Sequence, residues 1–153
     1  QPISDSDVLI GNSSHRDFEW AWYQHAPLRM PNGNVMLFDN GDNRNYGSAS
    51  PYSRAVEYEI DEVNMTIKQV WTYGKDRGEE TFSRIVSDVD YDADYNHVFF
   101  IPGASNYQGT RYGKTIELDY DSRQVIFEAT ITPPEAAFGL ITLHRTERMS
   151  MYP

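Results

Sequence analysis

Two stretches about sixty residues apart are near copies of one another, and this internal repeat restricts the available folds more than any other feature. Ala55-Val56-Glu57-Tyr58-Glu59-Ile60-Asp61 alternates apolar and acidic residues, and Thr115-Ile116-Glu117-Leu118-Asp119-Tyr120-Asp121 closely resembles it. Alternation of period two describes a strand with one buried and one wet face. Ahead of each lies an asparagine turn and an apolar run, Asn34-Val35-Met36-Leu37-Phe38 in one and Asn96-His97-Val98-Phe99-Phe100 in the other. Behind each lies another, Ile67-Lys68-Gln69-Val70-Trp71 and Gln124-Val125-Ile126-Phe127, and the innermost strand of each unit is expected at His25 to Met30 and Ile85 to Tyr91. No stretch reads as a helix.

Four antiparallel strands per repeated unit are the signature of propeller blades, but a closed ring takes roughly four to eight of them. After the second unit, Leu140 to Met149 reads as one more strand with no partner of its own. The expected architecture is therefore all-β: the C-terminal part of a β-propeller, with an entry loop over 1–22, one blade over 23–80, a second over 81–135 and a closing strand over 136–153. A two-sheet sandwich of eight or nine strands is the alternative, and the repeat favours blades.

Charge and composition exclude several functions. Thirteen Lys and Arg against 23 Asp and Glu give a net charge of −10, which supplies no basic footprint for nucleic acid or an acidic membrane surface. There is no cysteine, so thiolate metal sites, disulfides and cysteine nucleophiles are ruled out within these residues. The chain starts at Gln-Pro-Ile and contains neither a signal peptide nor an apolar span of membrane length, which reads as a mature product or a piece of something longer.

The stretch that concentrates chemistry runs from Phe18 to Arg44. Two tryptophans and a tyrosine lead into Gln24 and His25, a Pro-Asn-Gly-Asn turn follows, and a second strand ends in the polar loop Asp39 to Arg44. His25 has two readings, a satisfied structural histidine or a nucleophile or general base. A neutral imidazole is a competent nucleophile near pH 7, and the start of a blade's innermost strand is where side chains line a propeller's channel.

Glu19-Trp20-Ala21-Trp22-Tyr23-Gln24-His25-Ala26, Phe38-Asp39-Asn40-Gly41-Asp42-Asn43-Arg44, Tyr52-Ser53-Arg54-Ala55-Val56-Glu57-Tyr58 and Val70-Trp71-Thr72-Tyr73-Gly74-Lys75 together resemble the C-terminal part of the bacterial arylsulfate sulfotransferases. The resemblance implies a six-bladed periplasmic propeller that moves a sulfuryl group from an aryl sulfate to a phenol without a nucleotide donor. It implies that His25 takes up the sulfuryl group as a sulfohistidine, in ping-pong fashion. The implied partners are small aryl sulfates and phenols and the upstream blades of the same propeller, with a homodimer left open, and neither a cofactor nor a metal. An arginine and two histidines that complete such sites lie upstream of this segment in the family, so the chain alone is expected to be incomplete and inactive. Some relatives carry a cysteine pair ahead of the nucleophile; packing must hold the loop Ser4 to Asp17 here instead. His144 and Arg145 stand where relatives place a Tyr-Arg pair facing the channel, and the resemblance carries His144 over as a substrate contact or, equally, a structural residue. Arg145, a basic candidate for sulfate or a surface ion pair, and Trp22, an aromatic close to His25, are the other substrate-contact candidates.

Other patterns are weaker. Gly109-Thr110-Arg111-Tyr112-Gly113-Lys114-Thr115 resembles a phosphate-binding loop but is one residue short between its glycines and leads into a strand. Asp88, Asp90, Asp92 and Asp94 alternate and could hold calcium, but a solvated turn at the blade rim is the favoured reading. Asp39-Asn40-Gly41-Asp42 reads as a turn whose Asx side chains bond the backbone. Trp71 reads as packing between blades, Trp20 and Trp22 as either packing or a stacking surface, Arg29 as a surface ion pair or a sulfate contact, and His15 and His97 as solvent-facing or packed. The competing function is a non-catalytic propeller segment that binds a partner or a glycan through its aromatic residues.

Overall fold

Turn chemistry and register build the first repeat much as its sequence implies. The computed structural model describes residues 18–44, 50–134 and 141–149. Strand β1 (Gln24–Arg29) and strand β2 (Val35–Asp39) are joined by Pro31-Asn32-Gly33-Asn34, where Gly33 has φ +91°, a left-handed conformation that costs glycine little. β3 (Arg54–Asp61) and β4 (Thr66–Tyr73) complete an antiparallel sheet in the order β1-β2-β3-β4. Pro27 has no N–H for a ladder, and it is tolerated because β1 is an edge strand.

The second repeat forms β5 (Asp88–Asp92), β6 (His97–Ile101), β7 (Ser105–Tyr107), β8 (Thr110–Asp119) and β9 (Val125–Ile131). β6 and β7 both pair with β8. Pro102-Gly103-Ala104 separates them, yet Pro102 O still accepts from the Lys114 N–H at 3.0 Å. β7 therefore continues the line of β6, and the five-stranded sheet is a four-stranded order with its second strand broken. Two antiparallel sheets of the same order, with no closed barrel, are consistent with adjacent propeller blades.

The sheets pack face to face over one core of Met36, Phe38, Ala55 and Trp71 from the first and Val89, Val98, Phe100, Ile116 and Leu118 from the second. Phe38 and Phe100 stack at its centre, ring centroids 5.0 Å apart. Toward one end Trp71 stacks on Tyr120 at 5.4 Å and donates its indole N–H to Tyr120 O at 2.7 Å, as expected of an inter-blade tryptophan. Beside it Tyr120 donates to the buried Glu57 carboxylate, which also accepts from Asn32 and Asn34 of the first turn. The edge strands β1 and β5 lie against each other. The opposite face of the first sheet, Leu37, Val56 and Tyr58, is covered by Phe18 and Ala21.

Three details depart from expectation. A 3-10 helix, Lys75–Thr81, is entered through Gly74 and kinked at Gly78; so short an element has no apolar period to announce it. The innermost strand of the second repeat begins at Asp88 rather than Ile85, because Val86 and Ser87 have φ of +53° and +88° and cannot extend. Residues 141–149 contain no strand. Leu143 N–H donates to Gly103 O at 2.8 Å, and no ladder follows from this single bond; the remainder of the expected closing strand lies outside the described residues. Of the glycine-rich stretch, Gly109 ends a tight turn and Thr110 to Thr115 already belong to β8, with Lys114 buried against Glu80 and Glu128, which leaves no cradle for phosphate.

Candidate active site

His25 sits on β1 in the most distorted backbone of the first sheet. It pairs with Phe38, but the next registered pair is Leu28 with Met36, so one extra residue bulges out between them. On either side of His25, Tyr23 and Ala26 have φ of +56° and +50°, a region that non-glycine residues seldom occupy. Bulges and positive φ re-aim side chains and gather at functional sites. The result is an exposed imidazole on the edge strand that faces β5. Its Nδ1 lies 2.7 Å from Asn40 Oδ1 and 3.2 Å from Tyr23 O.

The support beneath that ring is ionic. Asp39, at the end of β2, is fully buried. Its Oδ1 accepts from the backbone N–H groups of Trp22 and Gly41 at 2.9 and 3.1 Å, and its Oδ2 from Arg44 and Arg54, both at 2.8 Å. Arg54, also fully buried, reaches onward to Glu19 Oε2, Glu19 O and Gln69 Oε1. Arg44 donates to Trp20 O and lies 4.2 Å over the Tyr52 ring. Two guanidinium groups and two carboxylates thus fasten the backbone from Glu19 to Trp22, which leads straight into Gln24 and His25. Burial pushes the Glu19 carboxyl up, but the Lys75 hydrogen bond and the Arg54 and Lys75 charges outweigh it and hold the group below its ordinary range. Gly41 has φ +75°, and a Cβ there would come within 2.2 Å of Tyr52 O, so the chain passes this knot only as glycine.

Asn40 is fully buried at the inner end of the interface between sheets. Its Nδ2 donates to Ser83 O at 2.7 Å and Val86 O at 2.9 Å, and its own carbonyl accepts from Ser53 Oγ at 2.8 Å. Ser83 N–H donates to Ser53 Oγ, Ser87 Oγ to Ser83 Oγ, Ala104 N–H to Ser83 Oγ and Gly103 N–H to Ser87 Oγ, all within 3.0 Å. Beyond this serine seam a pocket of about 400 Å³ is lined by Phe82, Arg84, Ile85, Ser105, Arg111 and Ile141, among others. Arginines beside apolar side chains suit a ring bearing an anionic group, although His25 itself does not line this pocket. Arg84 also meets the Asp42 carboxylate at 3.1 Å.

The profile of the Arylsulfotransferase (ASST) family matches residues 2–137, nearly the whole chain. The chain belongs to the arylsulfotransferase family. It is 37% identical over 129 residues to the arylsulfate sulfotransferase AssT of Escherichia coli O6:H1 (strain CFT073), covering 79% of this chain and 21% of that protein. It is 36% identical over 145 residues to the arylsulfate sulfotransferase AssT of Lelliottia amnigena, covering 88% of this chain and 24% of that one. The chain thus spans between a fifth and a quarter of the length of these two relatives.

Within this arylsulfotransferase segment, the residues singled out from the sequence are placed differently. His25 is on the edge strand with its Nδ1 held. Trp22 is half-buried two residues before β1, with its N–H on Asp39 and its carbonyl accepting from Gly41 at 2.9 Å. His144 and Arg145 are exposed on the segment 141–149; Arg145 reaches Asp88 at 4.0 Å and Glu147 at 3.4 Å. No hydrogen bond or ion pair among the described residues joins either of them to His25. Arg29 is exposed at the end of β1. His97 is bonded through Nδ1 to Glu117 at 2.8 Å, a structural pairing, while His15 and the loop Ser4 to Asp17 lie outside the described residues. Asp90 and Asp92 accept from nearby backbone N–H groups, and no group of three or more potential metal ligands occurs among the described residues. The Asp39-Asn40 segment holds far more than a local turn. The partners of Asn40 lie 13 to 46 residues away, and no local pattern could reveal them.

Proposed function

We propose that the intact protein carrying this chain is an arylsulfate sulfotransferase and that His25 is its sulfuryl acceptor. One observation carries the reading: in a chain of this family, an exposed imidazole is mounted on a bulged edge strand between two positive-φ residues, with Nδ1 anchored and no hydrogen bond to Nε2 among the described residues. The Nε2 lone pair attacks the sulfur of an aryl sulfate, the N–S bond forms, and the S–O(aryl) bond breaks with its electron pair leaving on the phenolate. A second phenol then attacks sulfur through oxygen and loses its proton, and the N–S electron pair returns to Nε2. Splitting the transfer in two gives ping-pong kinetics. Groups that neutralise the departing phenolate come from further propeller blades, which this reading requires as a partner to the two described here. The reading includes a periplasmic location, carried from the resemblance and testable by fractionation.

The test is the intact protein with a chromogenic aryl sulfate and a phenolic acceptor. Phenol release that depends on acceptor, parallel reciprocal plots, and one sulfuryl group on the peptide containing His25 are expected. His25→Ala should lower turnover by about 10⁴-fold or more, as loss of a covalent nucleophile does. Phenol release that persists in His25→Ala at the parent rate removes the mechanism. No release under any condition leaves the alternative, a binding segment that works through its aromatic residues.

A further inference from the structure

We propose that Asn40 is the positioning residue for His25: clamped by the second sheet, it fixes the imidazole as the Nδ1–H tautomer and so keeps the Nε2 lone pair aimed outward. The tautomer follows from the donors and acceptors alone. Nδ1 faces two oxygens, Asn40 Oδ1 at 2.7 Å and Tyr23 O at 3.2 Å. A backbone carbonyl can only accept, so the ring nitrogen between them carries the hydrogen. Asn40 cannot turn its amide over, because Nδ2 donates to two further carbonyls, Ser83 O and Val86 O. A flipped amide would set Oδ1 against both of those oxygens and its NH₂ against the Nδ1–H, leaving buried groups without partners. Its backbone is fixed as well, through Ser53 Oγ to Asn40 O.

The clamp crosses the interface. Asn40 follows β2 of the first sheet, whereas Ser83 and Val86 lead into β5 of the second. Val86, a β-branched residue at φ +53°, is held in a conformation such residues avoid, and its carbonyl is one of the two that grip Asn40. Packing of the second sheet is thereby converted into the orientation of a ring on the first. Neutral acceptors suit the reaction proposed above. As Nε2 bonds to sulfur the ring becomes cationic, and Asn40 Oδ1 and Tyr23 O stabilise that charge without removing the Nδ1 proton. The sulfurylated ring then remains a good leaving group for the second displacement. The consequence for catalysis rests on the reading of His25 as sulfuryl acceptor, but the tautomer does not.

Ring-nitrogen NMR shifts of the intact protein with isotope-labelled histidine, assigned by the signal lost in His25→Gln, test the tautomer without any assay. His25 is expected as Nδ1–H, and an Nε2–H ring in the parent protein overturns the proposal. In Asn40→Ala the Nε2–H form should become populated, and kcat with an aryl sulfate should fall roughly 10- to 100-fold with KM little changed, as when other orienting partners of a histidine are removed. An Asn40→Ala protein that folds, keeps the Nδ1–H ring and turns over normally also overturns the proposal. If the tautomers behave as stated and no aryl sulfate is turned over, the functional reading fails and the positioning role stands.

Discussion

The two sheets share an order of strands and a common core, yet they finish their second strands in opposite ways. β2 ends in the charged Asp39, followed by the polar Asn40, both fully buried; β6 ends in Ile101, fully buried and apolar, followed by Pro102. Correspondingly, β1 is bulged against β2, while β5 pairs with β6 without a break in register. One scaffold has been used twice, once to carry the proposed site and once to brace it. The buried ions of the first sheet are costly to desolvate, and Asp39 and Arg54 are retained with their hydrogen-bonding atoms paired, whereas the ions of the second lie nearer water: Lys114, Arg77, Glu80 and Glu128 form a cluster at its rim.

That contrast can be broken at several points. After the loss of turnover expected of His25→Ala and the smaller loss expected of Asn40→Ala, the next largest effect is on stability. Arg54→Met should cost about 3–5 kcal/mol, because it leaves the fully buried Asp39 with Arg44 as its remaining ion-pair partner and releases Glu19 and Gln69. Denaturant melts of parent and variant check it, and a change within error would mean that the ionic knot is only decorative.

Next comes an asymmetry in pH. Burial pushes the Tyr52 and Tyr58 phenols, both against the ionic knot of the first sheet, up to about 12, above the value of about 10 for an unfolded tyrosine. A group raised in this way contributes stability that is complete below pH about 10 and is lost as the pH climbs through 12. Tyr58→Phe should therefore remove part of the alkaline transition seen in a tyrosinate titration. In the second sheet the Arg77 hydrogen bond leads in holding Glu128 down to about 2, with Lys114 adding to it against the opposing effect of burial. That depression contributes stability present above the unfolded value of about 4.3 and lost as the pH falls through 2. Glu128→Gln should flatten the acid limb by about 1 kcal/mol or less, given how much water reaches this cluster. Equal sensitivity of both variants to acid and to alkali would erase the distinction between a sealed sheet and a wet one.

How much of this is legible in the sequence depends on the distance between partners. Runs such as Val35 to Phe38 and Ala55 to Asp61 declare their strands because period and burial are local properties, and the likeness of Asn34-Val35 to Asn96-His97 declares the second blade. The indole of Trp71 was legible for a similar reason, being a large ring on an otherwise outer-strand pattern. The 3-10 helix was not, since Lys-Asp-Arg-Gly-Glu-Glu-Thr has no apolar stripe. The role of Asp39-Asn40 was hidden for a deeper reason: Asx residues beside a glycine look the same whether they close a turn or anchor a network, and the difference lies with Arg54, Ser83 and Val86 far along the chain. His25 stood out through its setting and its likeness to a family, while the residue that aims it did not.

The serine-rich contact between the sheets has a bearing on how such a chain can change over time. Repeats of this kind arise by copying, and each copy is commonly taken as the piece that inherits a property. Here the imidazole belongs to one copy and the oxygens that fix its companion belong to the next, so a blade transplanted alone would carry the histidine without its bearing. What must be passed on intact is the join between neighbours, and an exchange of whole blades preserves the site only if Ser83 and Val86 travel with Asn40.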